Sequence, residues 1–504
     1  GSFKIKLCRH YVRSKIIESN QECNPESTKL IFSLSTEPAS DFEEAIAATG
    51  YGWYNVGLMF CTLPAFWSAV SVTSATSYIF TRAQCDMGLK LIDMGTINAI
   101  TYGGMIASAM IWGFLSDTLG RRKILVWGFF CSGLVEITAA LSQNFTMLLI
   151  TRFASGFLFN GPFAVLISYL AELHRTELRA RVILLTSLFY TMANTTLPLL
   201  AWAILTHDWH FKPFGDVFVI HAWNIYLLVV ALVPLLTGVV FFFMPESPKF
   251  LMSRGRNEEA LAIFRKIYVM NTGKPADTYP VSHYLKKREF PRPQVGFGAD
   301  PFLAHIKFRS YAATAREIAS PLAQTSSFTC SLPNYYLFSY RSNTIRLWYP
   351  QLAAMIGSHS TESLCSAIAP APIQLDEGVC HPIETDLLTY LQSMVVGAGS
   401  ILTYSIGGAL INQYCLNKYI LDTLKRTDFF RFRVMAMATF LMFGRLGTIS
   451  GTVAFPALID YGCLPPFFTI AAVLLGKYFF VTPSSSFLDK ARLSISNYFT
   501  GRYF

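Results

Sequence analysis

Apolar runs of membrane-spanning length recur along this chain, separated by short polar turns. A helix needs about 20 apolar residues to cross a bilayer, and residues 56–80, 96–115, 124–141, 147–170, 182–205 and 222–244 all suit one. A long polar, basic stretch follows, and the apolar signal returns at 386–414, 434–459 and 465–481. Residues 332–356 make a poorer run, because Arg341 and Arg346 interrupt it. The pattern predicts an all-α integral membrane protein, multi-pass, with nine clear spans and one doubtful span.

Charge placement orients these spans. Lysines and arginines gather at 121–123, 174–181, 249–316 and 418–433, and basic loops favour the cytoplasmic side. Between Arg346 and Lys418 there is no lysine or arginine, whereas Glu362, Asp376, Glu377 and Glu384 occur there. That segment reads as non-cytoplasmic, with Cys365 and Cys380 able to pair in an oxidising lumen. For 418–433 to be cytoplasmic, the doubtful span has to cross. The expected organisation is a cytoplasmic N-terminal tail (1–50), an N-terminal six-helix bundle (51–245) and a cytoplasmic central loop (246–330). A C-terminal bundle (331–483) and a cytoplasmic tail (484–504) complete it.

Composition narrows the function classes. The chain is 52% hydrophobic and 14% charged, against about 25% charged in soluble domains. A formal charge of +10 would suggest nucleic acid in a soluble protein; here it sets orientation, and the expected partner is the lipid bilayer. Residues 1–15 are basic but no apolar run follows, so no cleavable signal peptide is expected there. The ten cysteines show no metal-ligand spacing. With no nucleophile–base pair or phosphate loop either, neither an enzyme nor a cofactor is expected.

The turn between the second and third runs holds Gly113, Asp117, Gly120, Arg121, Arg122 and Lys123. Small residues let helices approach in lipid, a carboxylate suits a helix N-terminus, and the basic cluster holds the turn in the cytoplasm. An ordinary basic stop explains the arginines but not the Gly-x-x-x-Asp-x-x-Gly spacing, which resembles the loop between spans two and three of the major facilitator superfamily. The stretch from Arg152 through Gly156 to Gly161-Pro162 resembles that superfamily's fourth span. Glu172 followed by Arg179 and Arg181 resembles the next cytoplasmic loop. Pro245-Glu246-Ser247-Pro248, with Arg254, Arg256 and Glu258 after it, resembles the end of span six in the sugar and organic-ion branches.

The resemblance implies a two-bundle architecture and a cytoplasmic charge network that closes when the substrate site faces outward. By position it pairs Arg121 or Arg122 with Glu172, and Arg179 or Arg181 with Glu246. Any one pair alone is an ordinary loop contact, worth under about 1 kcal/mol; the order of the motifs at span ends carries the inference.

A narrower likeness is to the synaptic vesicle glycoprotein 2-like transporters, particularly insect members. Residues 41–45, 83–86, 98–105, 247–268, 271–280, 443–447 (with Gly444 and Arg445) and 462–468 carry it. It implies a transporter moving a small organic solute or ion by alternating access, in an intracellular vesicle or the plasma membrane, with vesicle proteins as further partners. The alternatives it leaves are a non-transporting vesicle protein and an inactive, truncated transporter.

One departure stands out. The opening motif recurs in degenerate form at 408–418, with Asn412 in place of the acid and Cys415 in place of the second glycine. Only a short charged stretch separates it from the run at 434–459, while two spans with turns need about 45 residues. Spans nine and ten are therefore expected to be missing, leaving a six-helix N-terminal half and an incomplete C-terminal half.

Ionisable groups inside spans are functional candidates by default. Glu136 is the clearest, either a coupling group or a glutamate hydrogen-bonded to a neighbouring span. Asn98, Asn160 and Asn194 could line a cavity or serve as interhelical glue. Tyr169, Tyr190, Trp202 and Trp223 could line a cavity or form an interfacial belt. Span one reads Ser71-Val72-Thr73 where the resembling proteins usually carry an acid, which argues against proton or cation coupling there.

Overall fold

In a bilayer every backbone polar group needs an internal partner, so apolar runs fold as helices. The computed structural model describes residues 42–212, 219–281, 326–358, 375–376, 379–380, 387–414 and 429–480. A short helix α1 (42–48) precedes α2 (Trp53–Cys61), which leads through Thr62 into α3 (Leu63–Met87). Then come α4 (Leu91–Leu119), α5 (Arg121–Ala140), α6 (Phe145–Glu172), α7 (Thr176–Leu205) and α8 (Ala222–Phe242). Before α8, β1 (His210–Phe211) and β2 (Ile220–His221) pair antiparallel. Two amphipathic helices follow, α9 (Pro248–Ser253) and α10 (Asn257–Thr272). The second half contains α11 (Ser326–Ser358), the ladder β3 (Leu375–Asp376) with β4 (Val379–Cys380), α12 (Leu387–Tyr414), α13 (Phe429–Ile459) and α14 (Leu464–Phe480).

Among the described residues, seven helices are long and apolar enough to cross a membrane, six of them before residue 243. The doubtful span is helical throughout, as α11.

Small residues set the closest helix approach. Gly104 on α4 faces the Phe153 carbonyl, and Gly156 on α6 faces the Thr101 carbonyl; a methyl group at either position would strike backbone. Pairs α4–α6 and α5–α8 build the first group of spans, and α11–α13 builds the second. The two groups meet where α13 packs on α4, α12 on α7 and α11 on α3. Trp348 and Phe455 stack 5.4 Å apart within the second group.

At the basic end α1 is docked rather than a free part of the expected tail. Phe42, Ala45 and Ile46 bury against Leu251, Phe264 and Tyr268 of α9 and α10. The Tyr279 hydroxyl donates to the Ala45 carbonyl at 2.7 Å. Asn271 ties the end of α10 to the start of α2, donating to Asn55 Oδ1 at 2.8 Å and accepting from the Tyr54 amide at 3.1 Å.

Candidate functional site

Three polar constellations interrupt this apolar scaffold. The first lies at the basic end. Gly120 joins α4 to α5 with φ +91°, a backbone that suits glycine, and a side chain there would meet Glu246 Oε2 at 2.6 Å. Glu246 Oε1 accepts the amides of Arg121 (2.9 Å), Arg122 (3.0 Å) and Ser247 (2.9 Å). A carboxylate thus caps the N-terminus of α5, where orphan amides and the helix dipole favour negative charge.

Glu172 is the second hub of this end. Arg121 Nη2 donates to its Oε1 at 3.1 Å, and Ser247 Oγ donates to its Oε2 at 2.5 Å. Phe250 lies under two guanidinium groups, those of Arg121 at 5.4 Å and Arg254 at 5.3 Å. Arg254 also donates to the Thr118 carbonyl at 2.9 Å, and Arg122 to the Phe242 carbonyl at 2.5 Å.

The expected pairing of Arg179 with Glu246 is not what forms. Arg179 Nη2 donates to both carboxylate oxygens of Glu43, each at 2.9 Å, while its Nε reaches the Ala171 carbonyl at 2.7 Å. Glu246 Oε1 is taken by three main-chain amides, and docked α1 brings Glu43 to the start of α7. Arg181 and Glu258 are exposed. Arg256 pairs with Glu259, one turn on, at 2.6 Å. Gly113 is exposed, with nothing within 4 Å of a side chain placed there, so the close approach expected at Gly113 occurs at Gly104 and Gly156. The Asp117 side chain lies outside the described residues.

The second constellation is buried. Arg152 Nη2 donates to Glu136 Oε2 at 2.8 Å, with 0% and 2% of the side chains exposed, and Ser155 Oγ donates to Glu136 Oε1. Arg152, the first residue of the stretch that resembles a fourth span, sits two turns into α6 from the end opposite the basic one, away from the basic-end network. An arginine inside lipid takes the nearest acid on a neighbouring helix, and that acid is Glu136. Gly161 and Pro162 serve packing here, against Trp112 and Gly128, and α6 continues through Pro162.

The third constellation lies mid-helix on the seam between the two groups. Arg346 of α11 donates through Nη1 to the Tyr190 hydroxyl of α7 at 2.7 Å, and through Nη2 to the Tyr102 hydroxyl of α4 at 3.3 Å. Tyr78 of α3 lies within electrostatic range of the same guanidinium. Arg445 of α13 donates to Asn160 Oδ1 at 2.5 Å and to the Met105 carbonyl at 3.3 Å. It too lies within range of Tyr102. Arg445 and Gly444 are therefore mid-span, not at the basic end; Gly444 packs on the Tyr335 ring of α11.

The remaining in-span candidates make local contacts. Asn160 also donates to the Met105 carbonyl at 2.9 Å, Asn98 donates to Ser77 Oγ at 3.2 Å, and Asn194 donates to the Tyr190 carbonyl of its own helix at 2.9 Å. Tyr169 donates to the Pro245 carbonyl at 2.7 Å and Trp223 to Asp86 at 2.7 Å.

In the sequence Arg346 interrupts an apolar run, and an arginine midway along such a run is itself the signal of a functional group. Cys85 and Cys463, both disulfide-bonded, lie at the end opposite the basic one, and no residue spacing marks them as such. Cys365 and the side chain of Cys380 lie outside the described residues. Among the described residues no cluster of His, Cys, Asp and Glu could hold a metal ion.

Compared with known families, residues 49–372 match the model described as Major Facilitator Superfamily. The chain is 28% identical over 250 residues to synaptic vesicle glycoprotein 2C of Mus musculus, an alignment covering 49% of this chain and 34% of that protein. It is 29% identical over 251 residues to synaptic vesicle glycoprotein 2B of Mus musculus, covering 49% and 37%. The matched segment thus spans little more than a third of these curated relatives. Among solved structures, the inward-open xylose transporter from E. coli aligns with TM-score 0.48 and 16% identity, covering 85% of this chain and 96% of that one.

Proposed function

The chain belongs to the major facilitator superfamily, and we propose that it is a transporter carrying a small organic solute or ion across a membrane by alternating access. The observation that carries this reading is the seam. Hydrogen bonds from Arg346 to Tyr190 and Tyr102 join the two helix groups mid-membrane, where a bare cation is costly. Two packed groups with polar chemistry between them at the midplane are the arrangement that rocking of one bundle against the other requires.

The basic end is cytoplasmic in this reading, with 246–330 as a cytoplasmic loop and 375–380 luminal or extracellular. The network around Glu246 and Glu172 then holds the cytoplasmic ends of the first six spans in register. The contacts described for it tie residues 43–272 together, and we assign it the part of presenting a rigid face to the second bundle.

At a finer level we place the chain in the synaptic vesicle glycoprotein 2-like group, near insect members, in an intracellular vesicle or the plasma membrane, with vesicle proteins as further partners. Residues 415–428 are all that separates α12 from α13, too few for even one span of about 20 residues. In this reading spans nine and ten of a full transporter are absent from this sequence. Sequencing the native transcript across 414–429 should recover roughly 60 residues rich in apolar runs; an uninterrupted match would remove that part of the reading.

Alternating access itself is tested without knowing the solute. A cysteine at Thr73, partly buried on α3, is placed in a background whose other thiols are replaced or blocked. In oriented proteoliposomes it should react with an impermeant maleimide from either side. Reaction from one side only, at every temperature tried, would show a static protein.

A further inference from the structure

Several arginines of this fold pair with acids: Arg152 with Glu136, Arg121 with Glu172, Arg179 with Glu43 and Arg82 with Asp208. Arg346, deep on the seam, does not. Two phenols take its terminal nitrogens, its Nε is buried with no partner, and no described carboxylate lies within ion-pair distance. Arg445 brings a second guanidinium towards Tyr102, answered by an amide oxygen and a main-chain carbonyl. The seam therefore holds two cations and, among the described residues, no anion.

A guanidinium offers five donors in a planar fork that suits a carboxylate, and phenols only partly replace that acceptor. On the first-bundle side, α3 carries Ser71, Val72 and Thr73 at its middle and its acid Asp86 only at its far end, and the buried Glu136 is taken by Arg152. Tyr78, Tyr102 and Tyr190 add aromatic faces for an apolar body.

We propose that Arg346, with Tyr102 and Tyr190, is a binding site for the carboxylate of an organic anion. This rests on the transporter reading for its biological sense and names the solute class. Because the arginine comes from one bundle and the tyrosines from the other, a carboxylate seated between them would take over the hydrogen bonds that now join the bundles. Occupancy would then bear on how the two bundles separate.

The test is binding to the purified full chain, so that it does not depend on transport. Benzoate, cinnamate and octanoate are compared with their amides at constant sodium chloride, reading the thermal unfolding midpoint against concentration. At least one carboxylate should raise the midpoint saturably while its amide does not. R346Q should weaken that carboxylate roughly 10- to 100-fold, the loss of a charge-assisted hydrogen-bonded pair, and R346K should weaken it less. Should R346Q fail to fold, Y190F and Y102F provide the reading, each weakening the carboxylate several-fold without removing charge. Equal shifts from acid and amide, no shift from any acid, or a carboxylate shift unchanged in a folded R346Q or in both Tyr→Phe variants would overturn the proposal. Carboxylate binding without exchange into proteoliposomes would leave the site standing and count against transport. Exchange of a neutral solute that carboxylates do not inhibit would do the reverse.

Discussion

Arg152 on α6 and Glu136 on α5 form an ion pair of 2.8 Å whose members are almost sealed from solvent. Ser155 adds a hydrogen bond to the carboxylate, while Arg152 Nε and Nη1 remain buried without partners. The pair is thus incompletely satisfied. Breaking a buried pair leaves one bare charge, at a cost of about 3–5 kcal/mol, whereas replacing both partners by apolar groups is often near neutral. R152M alone should lower the unfolding midpoint and yield sharply, and E136L with R152M should recover much of the loss. A double variant as unstable as the two single losses combined would show that the pair is worth more than its desolvation cost.

Glu246 offers a second measurement. It accepts three main-chain amides at the start of α5 and at Ser247, and hydrogen bonds to a charged acceptor contribute about 1.5–3 kcal/mol. E246Q keeps an oxygen but loses the charge, so it should destabilise less than E246A. G120A should be at least as harmful as E246Q, since it strains φ and pushes Glu246 away. Thermal unfolding of the three variants would decide; an unaffected G120A would mean that the turn relaxes freely.

The docking of α1 separates packing from charge. Glu43 is about one-third exposed, at 34%, so its pair with Arg179 should contribute under about 1 kcal/mol. Phe42 is buried, with its ring 6.2 Å from that of Phe264, and truncating a buried phenylalanine costs about 3–5 kcal/mol. Limited proteolysis should find α1 released in F42A and retained in E43Q. Release in E43Q alone would make the ion pair, not the apolar face, the anchor.

His174 sets a pH dependence outside the membrane spans. Burial holds its imidazole below the usual value of about 6.5, with nearby Arg179 acting the same way, against the Leu170 carbonyl, which favours the proton. Its Nδ1 lies 2.7 Å from that carbonyl, and Nε2 is buried without a partner. With the folded value depressed, the stabilisation is present above about pH 6.5 and is lost as pH falls through the folded value, because only the unfolded chain takes the proton readily. Unfolding midpoints should fall between pH 7.5 and 5.5, and H174Q should flatten that slope. An identical slope in H174Q would assign the effect to other groups.

Sidedness is checked with two cysteines. Ser253 lies exposed at the basic end, and His207 lies exposed at the opposite end. In intact cells with the protein in the plasma membrane, an impermeant reagent should label S253C only after permeabilisation and H207C without it. Labelling of S253C from outside would invert the topology.

Much of this molecule was legible in its residues. Apolar length and loop charge predicted the spans before residue 245, and the motif order predicted a polar network at one end. The acids of that network were identified more securely than their partners. Glu246 was expected to meet a side-chain cation, but main-chain amides at a helix start leave no mark in residue type. Glu43 gives no local sign of its partner, because nothing near it in sequence shows that α1 folds back onto α9 and α10.

Residue chemistry by itself determined that the chain is helical and crosses a membrane, because lipid leaves a long apolar segment no other way to satisfy its backbone. It also determined which few ionisable groups enter the spans. Tertiary structure alone decided their company. Arg152 and Glu136 stand one helix apart in sequence and meet in the core; Arg346 and Tyr102 stand in different halves and meet at the seam. Whether a buried arginine is neutralised by an acid or left facing phenols depends on helix rotation and packing, which follow from contacts such as Gly104 on Phe153 and Gly156 on Thr101 rather than from any local pattern.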